Sequence, residues 1–207
     1  RNNVIMGRDT QLLWGRPTIL DTLGRLNFHI SPRSFFQVNT RQAERLYEQA
    51  LAYADLHGTE TVIDAYCGTG TITLFLAQKA RKVYGIEIVQ PAILDARKNA
   101  RDNHVKNAEF IVGDATTVMP ALYKQGIRPD VVVVDPPRAG CTEIVLRTFA
   151  NMKPQRIVYV SCNPATLARD LAILKDLGYI TQEVQPVDLF PQTSHVENVA
   201  LLMQKSV

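Results

Sequence analysis

Two rhythms of apolar and polar residues run along this chain. From residue 61 onward, short apolar runs bounded by turn residues alternate with longer stretches whose apolar positions recur three and four apart. The first pattern predicts strands and the second predicts amphipathic helices. Strands are expected at 61–64, 82–87, 109–112, 131–135 and 156–161, with helices at 70–80, 91–103, 116–124, 142–152 and 164–177. The unbroken run Val131-Val132-Val133-Val134 implies a strand buried on both faces. Two more strands, near 181–189 and 198–203, follow with no helix between them and predict an antiparallel hairpin at a sheet edge. Repeated strand–helix units predict an α/β fold with a doubly wound, mostly parallel sheet.

Residues 1–38 read differently. Short apolar pieces, among them Leu12-Leu13-Trp14 and Leu26-Asn27-Phe28-His29-Ile30, are separated by Gly and Pro and predict hairpins packed on a larger body. A helix then starts at Asn39 or Thr40. Its apolar face is Ala43, Leu46, Tyr47, Ala50, Leu51 and Ala54. The only boundary the pattern offers lies near residue 38.

Composition adds limits. A chain of 207 residues fits one domain with a full core, or one domain with a small appendage. The net charge of +3 permits a nucleic-acid partner without demanding one. No apolar run is long enough to cross a bilayer. The chain begins at Arg1 and reads as a piece of a longer protein. Cys67, Cys141 and Cys162 are widely spaced and form no Cys-x-x-Cys pair, so no zinc or iron–sulfur site is expected and a reducing compartment is the simpler reading.

The chemistry collects at predicted strand ends, where open α/β sheets bind ligands. The first strand runs into Asp64-Ala65-Tyr66-Cys67-Gly68-Thr69-Gly70, a tight glycine turn without the Gly-x-Gly-x-x-Gly spacing of dinucleotide sites. The second ends at Glu87, whose carboxylate suits the paired hydroxyls of a ribose. The third ends at Asp114, which suits an adenine amine or, equally, a helix N-cap. Together the Gly68 turn, Glu87 and Asp114 point to S-adenosylmethionine. Asp135-Pro136-Pro137-Arg138 ends the fourth strand as a stiff rim able to hold a planar base.

Cys162 lies between a strand and a helix, with Asn163 as N-cap and Pro164 in the first turn. A sulfur at the positive end of a helix is expected to have a lowered pKa. Cys67 and Cys141 are the rival thiols. Glu197, in His195-Val196-Glu197-Asn198, is the expected base, its pKa raised by partial burial, with His195 as the rival. Carbon 5 of uracil is too weak a nucleophile to take a methyl group unaided. Thiolate addition at carbon 6 overcomes this, and a base then removes the carbon 5 proton.

The chain resembles the RNA uracil-C5 methyltransferases, which make 5-methyluridine, and looks closest to the bacterial ribosomal-RNA members. The resemblance covers about residues 28–204. It rests on Phe35-Phe36-Gln37-Val38-Asn39, the 64–70 turn, Asp135-Pro136-Pro137-Arg138, Ser161-Cys162-Asn163-Pro164 and His195-Val196-Glu197-Asn198. It implies a Rossmann-like S-adenosylmethionine-dependent catalytic domain at 39–207, with 1–38 part of a central β-rich subdomain. It makes Cys162 the nucleophile and Glu197 the proton acceptor. Gln37, Tyr66, Glu87 and Asp135 become cofactor contacts, with Gly68 and Asp114 carried along. It also implies a cytoplasmic enzyme acting on RNA, ribosomal rather than transfer. The family's N-terminal RNA-binding barrel and the cysteine-rich segment of some members are not in this sequence. An amine-directed nucleic-acid methyltransferase, or a non-catalytic RNA-binding module, are the alternative readings.

Overall fold

The computed structural model describes residues 11–32 and 35–205. A hairpin comes first: β1 (Ile19–Leu23) pairs antiparallel with β2 (Leu26–Ile30), turned by Gly24 at φ 59°. Leu12, Leu13 and Trp14 form no strand, and Trp14 is 93% exposed. The expected set of hairpins is therefore a single one among the described residues, and residues 1–10 lie outside them.

Helix α1 (Thr40–Ala54) starts where Asn39 accepts a hydrogen bond from the Gln42 amide at 3.3 Å. It stops at Asp55, whose left-handed backbone (φ 50°) returns its N–H to the Leu51 carbonyl. Then follow β3 (Thr61–Ala65), α2 (Thr71–Ala77), β4 (Lys82–Glu87), α3 (Gln90–Asp102), β5 (Ala108–Val112) and α4 (Ala115–Lys124). The chain continues through β6 (Val131–Val134), α5 (Glu143–Met152), β7 (Arg156–Ser161), α6 (Pro164–Asp176), β8 (Tyr179–Val187) and β9 (Glu197–Gln204). Most boundaries fall within a residue or two of the sequence expectation. The largest departure is α2, which ends at Ala77 because the amides of Lys79 and Ala80 turn back onto the Leu76 carbonyl.

The strand order is β5-β4-β3-β6-β7-β9-β8, with β3 to β7 parallel and the last two strands antiparallel. The chain reverses direction from β3–β4–β5 to β6, so the switch point lies between β3 and β6. Strand alternation divides the core into two layers. Val62, Val83, Val133, Val158 and Val199 face α1, α2, α3 and the hairpin. Ile63, Val132, Ile157, Tyr159 and Ala200 face α4, α5 and α6.

The hairpin is tied to α3 by polar rungs. Asn103 brackets the backbone of Asn27, accepting from its N–H at 2.8 Å and donating to its carbonyl at 2.6 Å. Asn99 accepts from the His29 N–H at 2.8 Å, and Ser31 donates to Asp95 at 2.7 Å. Two residues of strand rise about 6.7 Å and one helical step of four rises about 6 Å, so the two series keep register over three rungs. The helix thus covers strand backbone groups that would otherwise lie open. Asn99 also donates to the Thr69 carbonyl at 3.3 Å, linking the hairpin to the glycine turn.

Candidate active site

The layering places the chemistry. Counting by twos from the valines that face α1–α3, the residues reached at the strand ends are Asp64 (β3), Glu87 (β4) and Asp135 (just past β6). The same count along β7 reaches Cys162. In the antiparallel ladder Val160 pairs with Val199 and Ser161 with Asn198, so the next pair outward is Cys162 and Glu197. Residues 35 positions apart therefore end opposite each other on the face that carries Asp64 and Asp135. Separation on the chain hides this pairing; the insertion of β9 beside β7 creates it.

Cys162 is half-buried, whereas Cys67 and Cys141 are buried. Burial pushes the Cys141 thiol up to about 12 and raises the Cys67 thiol well above its ordinary value. The Asn163–Pro164 cap forms as expected, with the Asn163 side chain accepting from the Ala165 amide at 3.0 Å. The expected lowering of the Cys162 pKa does not follow. Burial first, then the charges of Glu197 and Asp135, push it up, against the pull of backbone hydrogen bonding and Arg138. The helix end was legible locally; the two carboxylates reach the sulfur only through the tertiary fold.

Glu197 is 4% exposed. Its pKa is raised by that burial, with Arg138 opposing, in the direction expected of a base working near neutrality. His195 is exposed, its ring 6.4 Å edge-on from Phe190. Asp135 is pushed up to about 7 by burial and by the charge of Glu197. Asp64, wholly buried, is also pushed up to about 7, chiefly by burial and secondarily by Asp135 and Glu87. Its Oδ2 accepts from Thr73 Oγ1 at 2.5 Å, and its Oδ1 has no protein partner. Sequence reasoning missed Tyr47. Its ring packs on Phe75 in the core, yet its hydroxyl feels the charges of Asp135, Glu197 and Asp64. A tyrosine at an apolar helical position carries no signal of this beyond its hydroxyl.

Around the glycine turn, Glu87 accepts from the Gly68 amide at 3.2 Å and the Val89 amide at 2.8 Å. Gly68 has φ 53°, and no heavy atom lies within 4 Å of where a Cβ would stand. Gly70 and Gly85 are tight instead: a Cβ would meet the Phe110 ring at 2.9 and 2.8 Å. Asp114 takes its capping role, with Oδ1 accepting from the Thr116 amide at 2.7 Å and hydroxyl at 2.6 Å. Tyr66 departs from the strand alternation. Its φ of 65° turns the ring into the opposite layer, with its hydroxyl near Cys141 and Asp114. Gln37 is buried just before α1, where Asn39 Nδ2 donates to the Leu189 carbonyl at 3.0 Å. Among the described residues, no helix is long and apolar enough to cross a membrane, and no group of three or more His, Cys, Asp or Glu is placed to hold a metal ion.

A seven-stranded sheet of this order with carboxylates along its strand ends is the Rossmann-like methyltransferase fold. Precorrin-6y C5,15-methyltransferase from Geobacter metallireducens shares it at a TM-score of 0.69 and 15% identity, over 86% of this chain and 95% of that one. The tRNA (uracil-54, C5)-methyltransferase of Pyrococcus abyssi, solved with S-adenosyl-L-homocysteine, is nearer. It has a TM-score of 0.79 and 37% identity over 92% of this chain and 45% of that one.

Residues 18–205 match the model of the tRNA (uracil-5-)-methyltransferase family, and the chain belongs to that family. An uncharacterized RNA methyltransferase of Halalkalibacterium halodurans is 62% identical over 100% of this chain and 45% of its own length. Another, from Clostridium tetani, is 57% identical over 98% of this chain and 44% of its own length. The chain thus spans a little under half the length of these relatives.

Proposed function

We propose that this chain carries the catalytic machinery of an S-adenosylmethionine-dependent RNA methyltransferase that forms 5-methyluridine through a covalent enzyme–uracil adduct. One observation carries the reading: the β7–β9 register sets the half-buried thiol of Cys162 opposite the buried Glu197, with Asp135 alongside.

Two features of the strand ends suit the cofactor. Asp64, Asp135 and Glu197 are carboxyls whose ionised forms are disfavoured by burial, and Asp64 Oδ1 has no protein partner. That is the environment a cationic ligand complements, and S-adenosylmethionine carries a sulfonium and an ammonium group. Gly68 offers an open backbone beside Glu87, which suits close approach by a nucleoside. In this reading Glu87 holds the ribose, Asp114 and Tyr66 line the adenine side, and Gln37 and Asp135 hold the end nearest Cys162.

The cofactor, when bound, supplies an electrophilic methyl group. Cys162 loses its proton to water and its sulfur bonds to carbon 6 of uracil. The electron pair of the C5–C6 double bond moves into the ring as an enolate, whose carbon 5 would take the methyl group as the methyl's bond to the sulfonium sulfur breaks and the neutral thioether departs. Glu197 accepts the carbon 5 proton. The C6–S bond then breaks, the C5–C6 double bond returns and the thiolate leaves. Arg138 stands as the nearby cation for both groups. A target base inside a helix must be flipped out to reach the sulfur.

Residues 39–207 form the catalytic domain in this account, and the β1–β2 hairpin belongs to a β-rich subdomain. The substrate is a uridine in structured RNA. The motifs favour ribosomal RNA, while the family description and the Pyrococcus abyssi enzyme are named for tRNA. Methylation of unmodified ribosomal and transfer RNA by the full-length protein, read by nucleoside mass spectrometry, separates the two. Cys162→Ala abolishes 5-methyluridine while leaving calorimetric S-adenosylmethionine binding intact. Retained turnover in that variant excludes covalent catalysis and favours the amine-directed alternative.

A further inference from the structure

Asp170 is fully buried on α6 and touches none of the groups assigned above. A buried carboxylate is costly unless its oxygens are paired, and here the partners come from β7, from α6 itself and from one loop. Its Oδ2 accepts from the Cys141 amide at 2.8 Å and the Tyr159 hydroxyl at 2.6 Å. Its Oδ1 accepts from Arg169 Nε at 2.8 Å. Arg169 in turn donates to the carbonyls of Ala139 at 2.9 Å and Cys141 at 3.2 Å. Asn163 and Thr166 both donate to the Arg138 carbonyl at 3.2 Å. Residues 163, 166 and 170 share one face of α6. The backbone from Arg138 to Cys141 is therefore stapled along the same helix whose N-terminus carries Cys162. Gly140, at φ 74°, passes so close that a Cβ would lie 2.6 Å from both Asp170 Oδ2 and Arg169.

We propose that Asp170 is a positioning residue: it clamps the 138–141 segment onto α6, holds Arg138 toward Cys162 and Glu197, and so sets how readily Cys162 ionises. The inference rests on reading Cys162 as the nucleophile. The charged groups facing the thiol are Glu197 from β9, with Asp135 and Arg138 from this loop. Arg138 lies in the stapled segment, whereas the Asp135 amide stays anchored on the Ala65 carbonyl at the end of β6, so a segment released from α6 leaves the thiol facing two carboxylates. Thiolate formation then moves to higher pH.

The test is the pH dependence of Cys162 alkylation by iodoacetamide, followed by peptide mass spectrometry on the full-length protein. It needs neither RNA nor cofactor. The buried Cys67 and Cys141 report unfolding in the same samples. Asp170→Asn keeps an acceptor for the Cys141 amide but sets a donor against Arg169. It and Arg138→Gln each displace the profile to higher pH, slowing alkylation near pH 8 by at least about twofold. The double variant is no slower than Arg138→Gln alone. Should Asp170→Asn expose Cys67 and Cys141, Arg169→Gln carries the same expectation. An unmoved profile in the Asp170 and Arg169 variants overturns the clamp, as does full additivity with Arg138→Gln. If the profiles move as expected but blocking Cys162 leaves methylation intact, the nucleophile assignment fails while the clamp stands.

Discussion

Replacing Asp64 with Asn should make the free protein more stable and a worse binder. The carboxyl is 0% exposed and one oxygen has no partner, while the other is held by Thr73. Asn keeps the acceptor for the Thr73 hydroxyl and removes the charge. Burial raises the Asp64 pKa from its ordinary 3.8 to about 7. A group whose folded pKa is raised contributes stability that is complete below the unfolded pKa and is lost as pH climbs through the folded one. The sensitive window therefore runs from about 4 to about 7. Over that window the ionised form costs at most about 4 kcal/mol, and coupling to Asp135 shares some of it between the two residues. At about 2–4 °C per kcal/mol for a chain of this size, Asp64→Asn should melt up to ~8–16 °C higher than the parent near pH 8. Below about pH 4, where Asp64 is neutral in the folded and the unfolded chain alike, the two should melt together. Thermal scans of both proteins across the range, without ligand, measure this. A variant that melts lower than the parent near pH 8, or a gap that does not close on acidification, refutes the reasoning. By the same logic calorimetry should show weaker S-adenosylmethionine binding, because the cation loses its carboxylate.

Three further outcomes follow from the site. Glu197→Gln should form the methylated adduct but fail to release it, giving an RNA–protein band that survives denaturing electrophoresis; absence of the band moves the base elsewhere. Gly85→Ala, which presses a Cβ into the Phe110 ring at 2.8 Å, should cost about 1–3 kcal/mol in urea unfolding; an unchanged midpoint would mean that Phe110 can swing aside. Asn99→Ala removes the partner of the His29 amide and the Thr69 carbonyl and should cost about 1–3 kcal/mol. Hydrogen exchange should rise at both the hairpin and the glycine turn, and a rise at one alone would show that Asn99 does not couple them.

What could be read from the sequence was local. The four-valine run of β6, the Asn163–Pro164 cap and the turn ending in Gly70 each depend on neighbours along the chain, and each stands where the pattern put it. Asp114 offered two roles, and its capping bonds are made. Non-local facts stayed hidden. The insertion of β9 between β7 and β8 is a sheet-order choice, yet it alone sets Glu197 opposite Cys162. The direction of the Cys162 pKa depends first on burial and then on carboxylates from two other strand ends. Tyr66 leaves its strand with a left-handed backbone that no periodicity announces, and Tyr47 hides a polar contact inside an apolar helix face. Leu12-Leu13-Trp14, expected in a packed hairpin, form no strand, and Trp14 is exposed.

The covalent step is the centre of the account, and one measurement reaches it directly. The full-length protein is incubated with S-adenosylmethionine and target RNA in which uridine is replaced by 5-fluorouridine, then digested and mapped by mass spectrometry. Fluorine cannot leave carbon 5 as a proton, so Glu197 has nothing to remove and the adduct accumulates. The account predicts a methylated fluorouracil linked to the peptide bearing Cys162. Turnover of normal RNA by the same preparation, with no adduct on the fluorinated one, would contradict it.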